Sequence, residues 1–299
     1  MKILITGGKG MLGRTLLRHW NLTHQCYIAD LPETDLTDFV RLHAVFEEFH
    51  PDVVVHCAAM TRVDDCEAKR DRAFQLNATV TENVAKACSE LKARLIAIST
   101  DYVFSGDERG DRSENDATSP KTVYGASKLA GEEAIRSYCP NSLIVRIAWL
   151  YGAGGPSFVH TMIQLAQADP TRILKIVNDQ MGNPTSTDAV ANALSKFLKR
   201  PELCGTFHLT CEGTTSWYEF AKEIFKLCNF PDVKLCPCST EEFPRPAPRP
   251  HFSSLSKKKL ADNALAPMPS WQQALSDFIA TEYALSANAK DIRCASDRP

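Results

Sequence analysis

Short apolar runs alternate with amphipathic stretches along the first half of the chain. The first run is KILIT at 2–6, and others lie at 25–30, 52–59, 94–100 and 142–152. Runs of this length, several of them rich in β-branched residues, predict strands buried on both faces of a sheet. The segments between them, such as 38–50 and 73–91, carry apolar residues at helical spacing. This alternation predicts an α/β fold with right-handed crossovers and a doubly wound parallel sheet.

The alternation is less regular after about residue 152. Helices are predicted near 156–168, 187–199, 216–229 and 270–284, and short strands near 173–177 and 205–210. The segment 243–252, FPRPAPRPHF, holds too many prolines to be regular throughout. We therefore predict an N-terminal domain over 1–152, to which later segments return, and a smaller α/β substrate-binding domain mainly over 153–285. Residues 286–299 lack periodicity and are expected to form a flexible tail.

Composition and charge exclude several classes of protein. The chain has 34 basic and 36 acidic residues, which does not suggest a nucleic-acid or anionic-membrane surface. No apolar run approaches the length that spans a bilayer, and the N-terminus enters a strand without a secretory signal, so we expect a cytoplasmic protein. The eleven cysteines are odd in number and scattered, which favours free thiols over disulfides or a metal site.

A glycine cluster lies between the first predicted strand and the first predicted helix. The segment TGGKGMLG contains Gly8-x-Gly10-x-x-Gly13 and also Gly7-x-x-Gly10-x-x-Gly13. Glycines here permit a tight turn and let backbone N–H groups approach a pyrophosphate. Asp30 follows at the end of the second strand, where a carboxylate can accept from a ribose hydroxyl. We predict a Rossmann-type dinucleotide site with cofactor contacts from Gly7, Gly10, Met11, Leu12, Gly13 and Asp30.

The choice between NADH and NADPH is left open by the charges at this turn. Asp30 would repel a 2′-phosphate and so favours NADH. Lys9 and Arg14, which lie close to the same turn, could instead attract that phosphate.

A candidate catalytic pair follows in the segment TVYGASKLAGEEAI at 122–135. Tyr124 and Lys128 are four residues apart at the start of a predicted helix, so they share one face. A phenol exchanges protons poorly at neutral pH unless a neighbouring cation lowers its pKa. The pair comes about twenty-five residues after a strand that ends in Ser99-Thr100, behind a dinucleotide-binding pattern. That context makes the pair a strong candidate for catalysis.

Four features together resemble the extended short-chain dehydrogenase/reductases: the glycine turn, HCAA after the third strand, ST after the fourth, and the Tyr124/Lys128 pair. The resemblance implies that Thr100 helps to hold the substrate oxygen and that Tyr124 exchanges the proton. It implies that Lys128 tunes Tyr124 and holds the nicotinamide ribose. It further implies that the cofactor is lined by Asp35, Leu36, Ala58, Ala59, Met60 and Thr61.

A narrower resemblance covers residues 1 to about 285. The segments STDYVFSGD, SPKTVYGASKLAGE, RIAWLYG, NDQMGNPT and RPAPRPHFSSL are similar to those of reductases that act on dTDP-4-keto-6-deoxyhexoses. This implies hydride transfer from NADPH or NADH to the C4 carbonyl of a nucleotide sugar. It implies sugar contacts from Thr100, Asp101 and Trp149. It also implies that the 178–185 loop, with Gln180, and Arg249 hold the diphosphate.

One position departs from the pattern of these reductases. The same resemblance implies that some of these reductases bind a metal ion through acidic residues where subunits meet. Thr15 stands at a position that would be acidic in such a site. The threonine argues against a bridging Mg²⁺. The expected partners are the nucleotide-sugar substrate and, in a homodimer, a second copy of the chain.

Two other functions are considered on the same fold. A 4,6-dehydratase or epimerase needs further acid/base groups, and dehydratases carry an Asp-Glu pair after the threonine, whereas Asp101 is followed here by Tyr102. A non-catalytic regulator resembling the β subunit of methionine adenosyltransferase would bind NADP without turnover. Tyr102 disfavours the dehydratase, and Trp149 and NDQMGNPT, which look like an intact nucleotide-sugar site, disfavour the regulator.

Overall fold

The computed structural model describes residues 1–282. The strands are β1 (Lys2–Thr6), β2 (Gln25–Ala29), β3 (Val53–His56), β4 (Arg94–Thr100), β5 (Leu143–Ile147), β6 (Leu150–Tyr151), β7 (Ile173–Val177), β8 (Met181–Gly182), β9 (Thr185–Ser186), β10 (Gly205–His208), β11 (Thr215–Ser216) and β12 (Lys234–Cys238). The helices are α1 (Met11–Trp20), α2 (Phe39–Phe49), α3 (Val63–Ala68), α4 (Arg70–Phe74), α5 (Val80–Glu90), α6 (Val123–Tyr138), α7 (Phe158–Ala168), α8 (Thr187–Leu198), α9 (Trp217–Leu227), α10 (Lys258–Asp262) and α11 (271–282). The predicted tail at 286–299 lies outside the described residues.

The main sheet has six strands in the order β10-β5-β4-β3-β1-β2, and every pair in it is parallel. This confirms the predicted doubly wound sheet. The order reverses between β1 and β3, and open sheets of this kind bind ligands at such a switch point, beyond the carboxyl ends of the strands. Three further pairs of short strands, β7 with β12, β8 with β11 and β6 with β9, lie outside this sheet.

Both faces of the sheet are buried, as the continuous apolar runs predict. Ile3 and Ile5 of β1 belong to one core cluster, which extends to α1, α7, α8 and α9. Leu4 belongs to a second cluster, which includes residues of α2 and α5. Successive residues of a strand point to opposite faces, so one apolar run supplies both cores.

The strand predicted over 142–152 is interrupted in the structure. β5 ends at Ile147, and Leu150–Tyr151 pair with β9 instead of continuing in the main sheet. Trp149 between them has a φ of 48°, which is uncommon for a residue with a side chain and often marks a functional position. The break turns the chain away from the sheet and leaves Trp149 above the carboxyl ends of the strands.

The predicted helix at 73–91 also has an irregular start. Residues Gln75–Thr79 form a π-helical turn between α4 and α5. Asn77 in this turn is buried, and its amide donates to the Ser127 hydroxyl of α6 at 3.0 Å. None of the helices within residues 1–282 has the length and apolar character that crossing a bilayer requires.

Candidate active site

The glycine turn after β1 is built for close approach of a ligand to the main chain. Gly7 has a φ of 65°, and a Cβ atom there would lie 2.6 Å from the Ala58 nitrogen, so only glycine fits. α1 then begins at Met11, and Gly10 before it offers no side-chain cap. The first N–H groups of a helix have no intrahelical acceptor, and they favour a phosphate group. A dinucleotide pyrophosphate fits this end of the helix.

Asp30 at the end of β2 is fixed by the same turn. Its carboxylate accepts from the Lys9 and Leu31 N–H groups, both at 2.9 Å. The Lys9 ammonium is held by the Glu33 carboxylate at 2.6 Å and by the Leu31 carbonyl. Arg14 donates from Nε to the Lys9 carbonyl at 2.7 Å. Thus one of the two cations that could attract a 2′-phosphate is already paired with a carboxylate.

A single cleft of about 1220 Å³ brings together nearly all of the predicted site residues. It runs from the glycine turn past the end of β4 to the loops of the second half of the chain. Its lining includes Gly7, Gly10, Met11, Leu12, Gly13, Asp30, Asp35, Leu36, Ala58, Ala59, Thr61, Thr100, Asp101, Tyr124, Lys128, Trp149, Gln180 and Arg249.

Met60 is the predicted site residue that does not line this cleft. Its side chain packs with Cys66, Ala73 and Val123. Its N–H and carbonyl both bond the Asn77 side chain, at 2.7 and 3.1 Å. The buried amide in the π-helical turn thus holds this stretch of chain and directs the Met60 side chain into a core cluster.

Thr100 and Asp101 lie at the end of β4, where a short 3-10 turn (Asp101–Val103) begins. The Thr100 hydroxyl accepts from the Tyr102 N–H at 3.2 Å and donates to Asp101 Oδ1 at 2.9 Å. Asp101 is 3% exposed, and its Oδ2 has no hydrogen-bond partner in the described part of the chain. Burial raises the pKa of Asp101 to about 7, although the hydrogen bond from Thr100 and the nearby polar groups of the turn and of Ser253 act in the opposite direction.

Tyr124 reaches Thr100 because α6 lies directly against this turn. Thr122 caps the helix by accepting from the Gly125 N–H at 3.0 Å. A Cβ atom at Gly125 would collide with the Tyr102 carbonyl, so glycine permits this approach. The Tyr124 ring meets the Tyr102 ring edge-on, with centroids 5.5 Å apart. Burial raises the pKa of the Tyr124 phenol, and an interaction with Thr100 reduces that rise.

Lys128 lies one helical turn after Tyr124 and is 6% exposed. Its ammonium donates to the Ile98 carbonyl of β4 at 2.7 Å, so in this structure its hydrogen bond goes to the strand. Burial lowers the pKa of Lys128 to about 8, while the Glu132 carboxylate favours the charged form. The ammonium is therefore held at the cleft between β4 and α6, one turn along the helix from the phenol.

A buried ion pair supports this face of α6. Glu132 accepts from Arg146 Nε and Nη2 of β5, at 2.9 and 2.7 Å, and from the Ser99 hydroxyl at 2.6 Å. The pair was not predicted, although Glu132 ends the segment SPKTVYGASKLAGE and Arg146 begins RIAWLYG, because nothing local in the sequence shows that the two side chains meet. It ties the strand end at Ser99 to the helix that carries Tyr124 and Lys128.

Two tryptophans stack at the far side of the cleft. The rings of Trp149 and Trp217 are parallel to within 5°, with centroids 3.5 Å apart. The indole N–H of Trp149 donates to Ser253, and that of Trp217 donates to the Gln180 side chain, both at 3.1 Å. Trp217 was not predicted, since its place at the start of α9 is typical of a core residue. The pair fixes Trp149 and Gln180 relative to each other.

Arg249 is held by a carboxylate that sequence analysis also missed. Its guanidinium bonds both oxygens of Asp64 in α3 at 2.9 Å, and Arg245 contacts the same carboxylate at 2.9 Å. Hydrogen bonding and the two cations hold the pKa of Asp64 below its ordinary value, although its burial acts in the opposite direction. Two arginines at the cleft match the charge of a diphosphate.

The position of Thr15 bears on the question of a metal ion. Thr15 is buried, and its hydroxyl donates to the Thr187 hydroxyl at 2.9 Å. Within residues 1–282, the structure shows no group of three or more His, Cys, Asp or Glu residues placed to hold a metal ion.

A doubly wound parallel sheet, a glycine turn at its switch point, and Thr100, Tyr124 and Lys128 on one cleft define an extended short-chain dehydrogenase/reductase. The family model described as "RmlD substrate binding domain" matches residues 1–284, and the chain belongs to this family.

Named relatives agree with that assignment. The chain is 38% identical over 285 residues to the dTDP-4-dehydrorhamnose reductase of Escherichia coli (strain K12), which covers 91% of this chain and 95% of the relative. It is similar to the crystal structure of a dTDP-4-dehydrorhamnose reductase from Clostridium acetobutylicum, with a TM-score of 0.91, 41% identity, and coverage of 95% and 100% of the two chains. A dTDP-4-dehydrorhamnose reductase from Bacillus anthracis in complex with NADP also gives a TM-score of 0.91, at 38% identity and coverage of 94% and 99%.

Proposed function

We propose that this protein reduces the C4 carbonyl of dTDP-4-dehydro-L-rhamnose with NADPH or NADH and gives dTDP-L-rhamnose. The observation that carries the proposal is the convergence of Tyr124 and Thr100 with the glycine turn on one cleft. The relatives named as dTDP-4-dehydrorhamnose reductases support the choice of substrate.

The cofactor fits the residues that are present. The glycine turn and the uncapped start of α1 suit the pyrophosphate, and Asp30 suits a ribose hydroxyl. Asp35, Leu36, Ala58, Ala59 and Thr61 line the same part of the cleft. When bound, the reduced nicotinamide supplies the hydride.

Tyr124 is the proton donor in the proposed reaction. A reduced carbonyl carbon leaves an alkoxide that must be protonated, and the donor must hold its proton at neutral pH. The phenol of Tyr124 carries its proton at neutral pH, but burial raises its pKa and so makes it a weaker acid. The buried ammonium of Lys128 contributes positive charge near the developing oxyanion, where the low dielectric makes it effective.

The nucleotide-sugar part of the substrate is assigned to the other side of the cleft. Trp149, fixed against Trp217, offers a flat apolar face near the sugar. Arg249, with Gln180 in the 178–185 loop, is placed to hold the diphosphate. Binding a diphosphate at Arg249 would compete with Asp64 for the guanidinium.

The alternatives receive no support from the site. A dehydratase needs an acid/base pair after the threonine, and Tyr102, with its edge against Tyr124, stands where the glutamate would be. A non-catalytic regulator has no requirement for a complete Thr100, Tyr124 and Lys128 set. The predicted cytoplasmic location agrees with a reaction that consumes NAD(P)H and a nucleotide sugar, and a homodimer remains a prediction.

The direct test is to incubate the protein with dTDP-4-dehydro-L-rhamnose and to follow the absorbance of NADH and of NADPH in separate reactions. We expect one reduced cofactor to be oxidised for each ketone consumed. A dehydratase or epimerase recycles its cofactor and would show no net oxidation. Absence of oxidation with both cofactors would overturn the proposal.

A further inference from the structure

The Thr100 hydroxyl has only one proton, and the structure shows where that proton goes. Oγ1 accepts from the Tyr102 N–H and donates to Asp101 Oδ1. A hydroxyl offers one donor and two acceptor positions. While Asp101 is a carboxylate it accepts the hydrogen bond that Thr100 donates, so Thr100 has no second proton to donate to a substrate oxygen.

Protonation of Asp101 reverses this hydrogen bond. A neutral carboxyl group can donate its O–H to Thr100 Oγ1, which then accepts from both Asp101 and the Tyr102 N–H. Both acceptor positions of the hydroxyl are filled, and its own proton is free to point to a third partner in the cleft.

The surroundings of Asp101 are suited to the neutral acid. The side chain is 3% exposed, and Oδ2 has no hydrogen-bond partner among residues 1–282. Burying an ionised carboxylate with an unpaired oxygen costs much free energy, and burying a neutral carboxylic acid costs much less. The ionisable groups around it are Tyr124 of α6, Tyr102 of the same turn, and beyond Tyr102 the pair of Arg249 with Asp64. Tyr124 and Tyr102 are neutral at working pH, and Asp64 pairs with Arg249.

We propose that Asp101 is a positioning residue that works as the neutral acid, donating to Thr100 Oγ1 so that the Thr100 hydroxyl can donate to the substrate carbonyl oxygen. This rests on the proposed reduction of a ketone in the same cleft. Burial raises the pKa of Asp101 to about 7, so the neutral form is accessible at neutral pH.

The first test reads the protonation state and does not depend on turnover. Infrared difference spectra of the full-length protein, recorded across the neutral pH range, should show the C=O band of a protonated carboxyl that disappears as pH rises. The band should be absent from Asp101→Asn. A wild-type protein without such a band at pH 6 would overturn the proposal, whether or not the protein reduces the ketone.

The second test uses the pH dependence of turnover. Because the neutral acid is the working form, kcat of the wild type should fall as pH rises through the titration of Asp101. Asp101→Asn keeps a donor of the same shape and cannot ionise, so it should keep kcat within about tenfold and lose that limb. Asp101→Leu neither accepts the Thr100 proton nor orients the hydroxyl, so it should lose less activity than Thr100→Val, which removes the oxyanion donor itself and should lose on the order of 100-fold.

The Thr100→Val variant serves as a background in which a positioning role of Asp101 can be told from a structural role. In Thr100→Val the hydroxyl is absent, so adding Asp101→Leu should cost little further activity, while NAD(P)H affinity serves as the check on folding. Equal losses from Asp101→Leu in both backgrounds, or an alkaline limb that persists in Asp101→Asn, would contradict the proposal.

Discussion

At the residue scale, the proposed reduction depends on the phenol of Tyr124. Tyr124→Phe keeps the ring against Tyr102 and removes only the proton donor. We expect kcat to fall by about 10²–10⁴, the contribution usual for a general acid, with the affinity for the dinucleotide unchanged. Steady-state kinetics and titration calorimetry with NADPH check both parts. Normal turnover in this variant would exclude Tyr124 as the proton donor.

A second prediction at the residue scale concerns Asp30 and the choice of dinucleotide. Asp30→Asn removes the negative charge next to the position of a 2′-phosphate and keeps an acceptor for the ribose. We expect the ratio of NADPH to NADH affinity to rise by on the order of tenfold, about 1.4 kcal/mol. Calorimetric Kd values for each cofactor give that ratio directly.

The control for this prediction is Glu47→Gln, an exposed carboxylate on α2 that does not line the cleft. It should leave the ratio unchanged. Glu33→Gln, which releases the Lys9 ammonium, should move the ratio in the same direction as Asp30→Asn. An unchanged ratio in both variants would show that these charges do not select the cofactor.

At the scale of elements, the approach of α6 to the end of β4 is set by Gly125. In Gly125→Ala the new methyl group meets the Tyr102 carbonyl, so the helix has to move away. We expect a loss of about 1–3 kcal/mol in the free energy of unfolding, and at least tenfold in kcat because Tyr124 moves with the helix. Denaturant unfolding and kinetics measure the two effects. Glu133→Ala, on the exposed face of α6, should change stability by no more than about 0.5 kcal/mol.

The buried pair of Glu132 and Arg146 holds α6 on β5. Glu132→Gln leaves the Arg146 guanidinium buried without its carboxylate, which should cost about 3–5 kcal/mol of unfolding free energy. Burial acts to raise the pKa of Glu132, but Arg146, Ser99 and Arg136 outweigh it and hold the pKa below its ordinary value of 4.5. A carboxyl group whose pKa is lower in the folded state stabilises the fold at pH values above its pKa in the unfolded chain. This stabilisation is lost as pH falls through its pKa in the folded state.

The wild type should therefore lose stability relative to Glu132→Gln as pH falls below about 4.5. Chemical denaturation at several pH values measures this difference. Glu133→Gln, one residue further along α6 and exposed, should behave like the wild type. A difference between wild type and Glu132→Gln that does not change with pH would contradict this explanation.

At the scale of the whole molecule, the parts predicted from sequence are those set by local patterns. Continuous apolar runs give strands with both faces buried, as in Ile3, Leu4 and Ile5. Parallel strands end at one edge of a sheet, so residues after β1 and β4 had to meet. The convergence of Gly7 and Thr100 on one cleft follows from that geometry.

The parts that were not predicted depend on contacts between distant segments. Trp217 reaches Trp149 across 68 positions, and Asp64 reaches Arg249 across 185. Neither pair has a local signature. Met60 sits beside residues of the cleft in sequence, but the Asn77 amide holds its main chain, and its side chain packs in a core cluster.

The most direct test of the reductase assignment is to locate the transferred hydrogen. The protein is incubated with dTDP-4-dehydro-L-rhamnose and NADH or NADPH that carries deuterium at both C4 positions of the nicotinamide, and the product is examined by NMR. We predict one deuterium at C4 of the sugar and one oxidised cofactor per product molecule. Product without deuterium at C4, or deuterium only at another carbon, would contradict the proposed reduction.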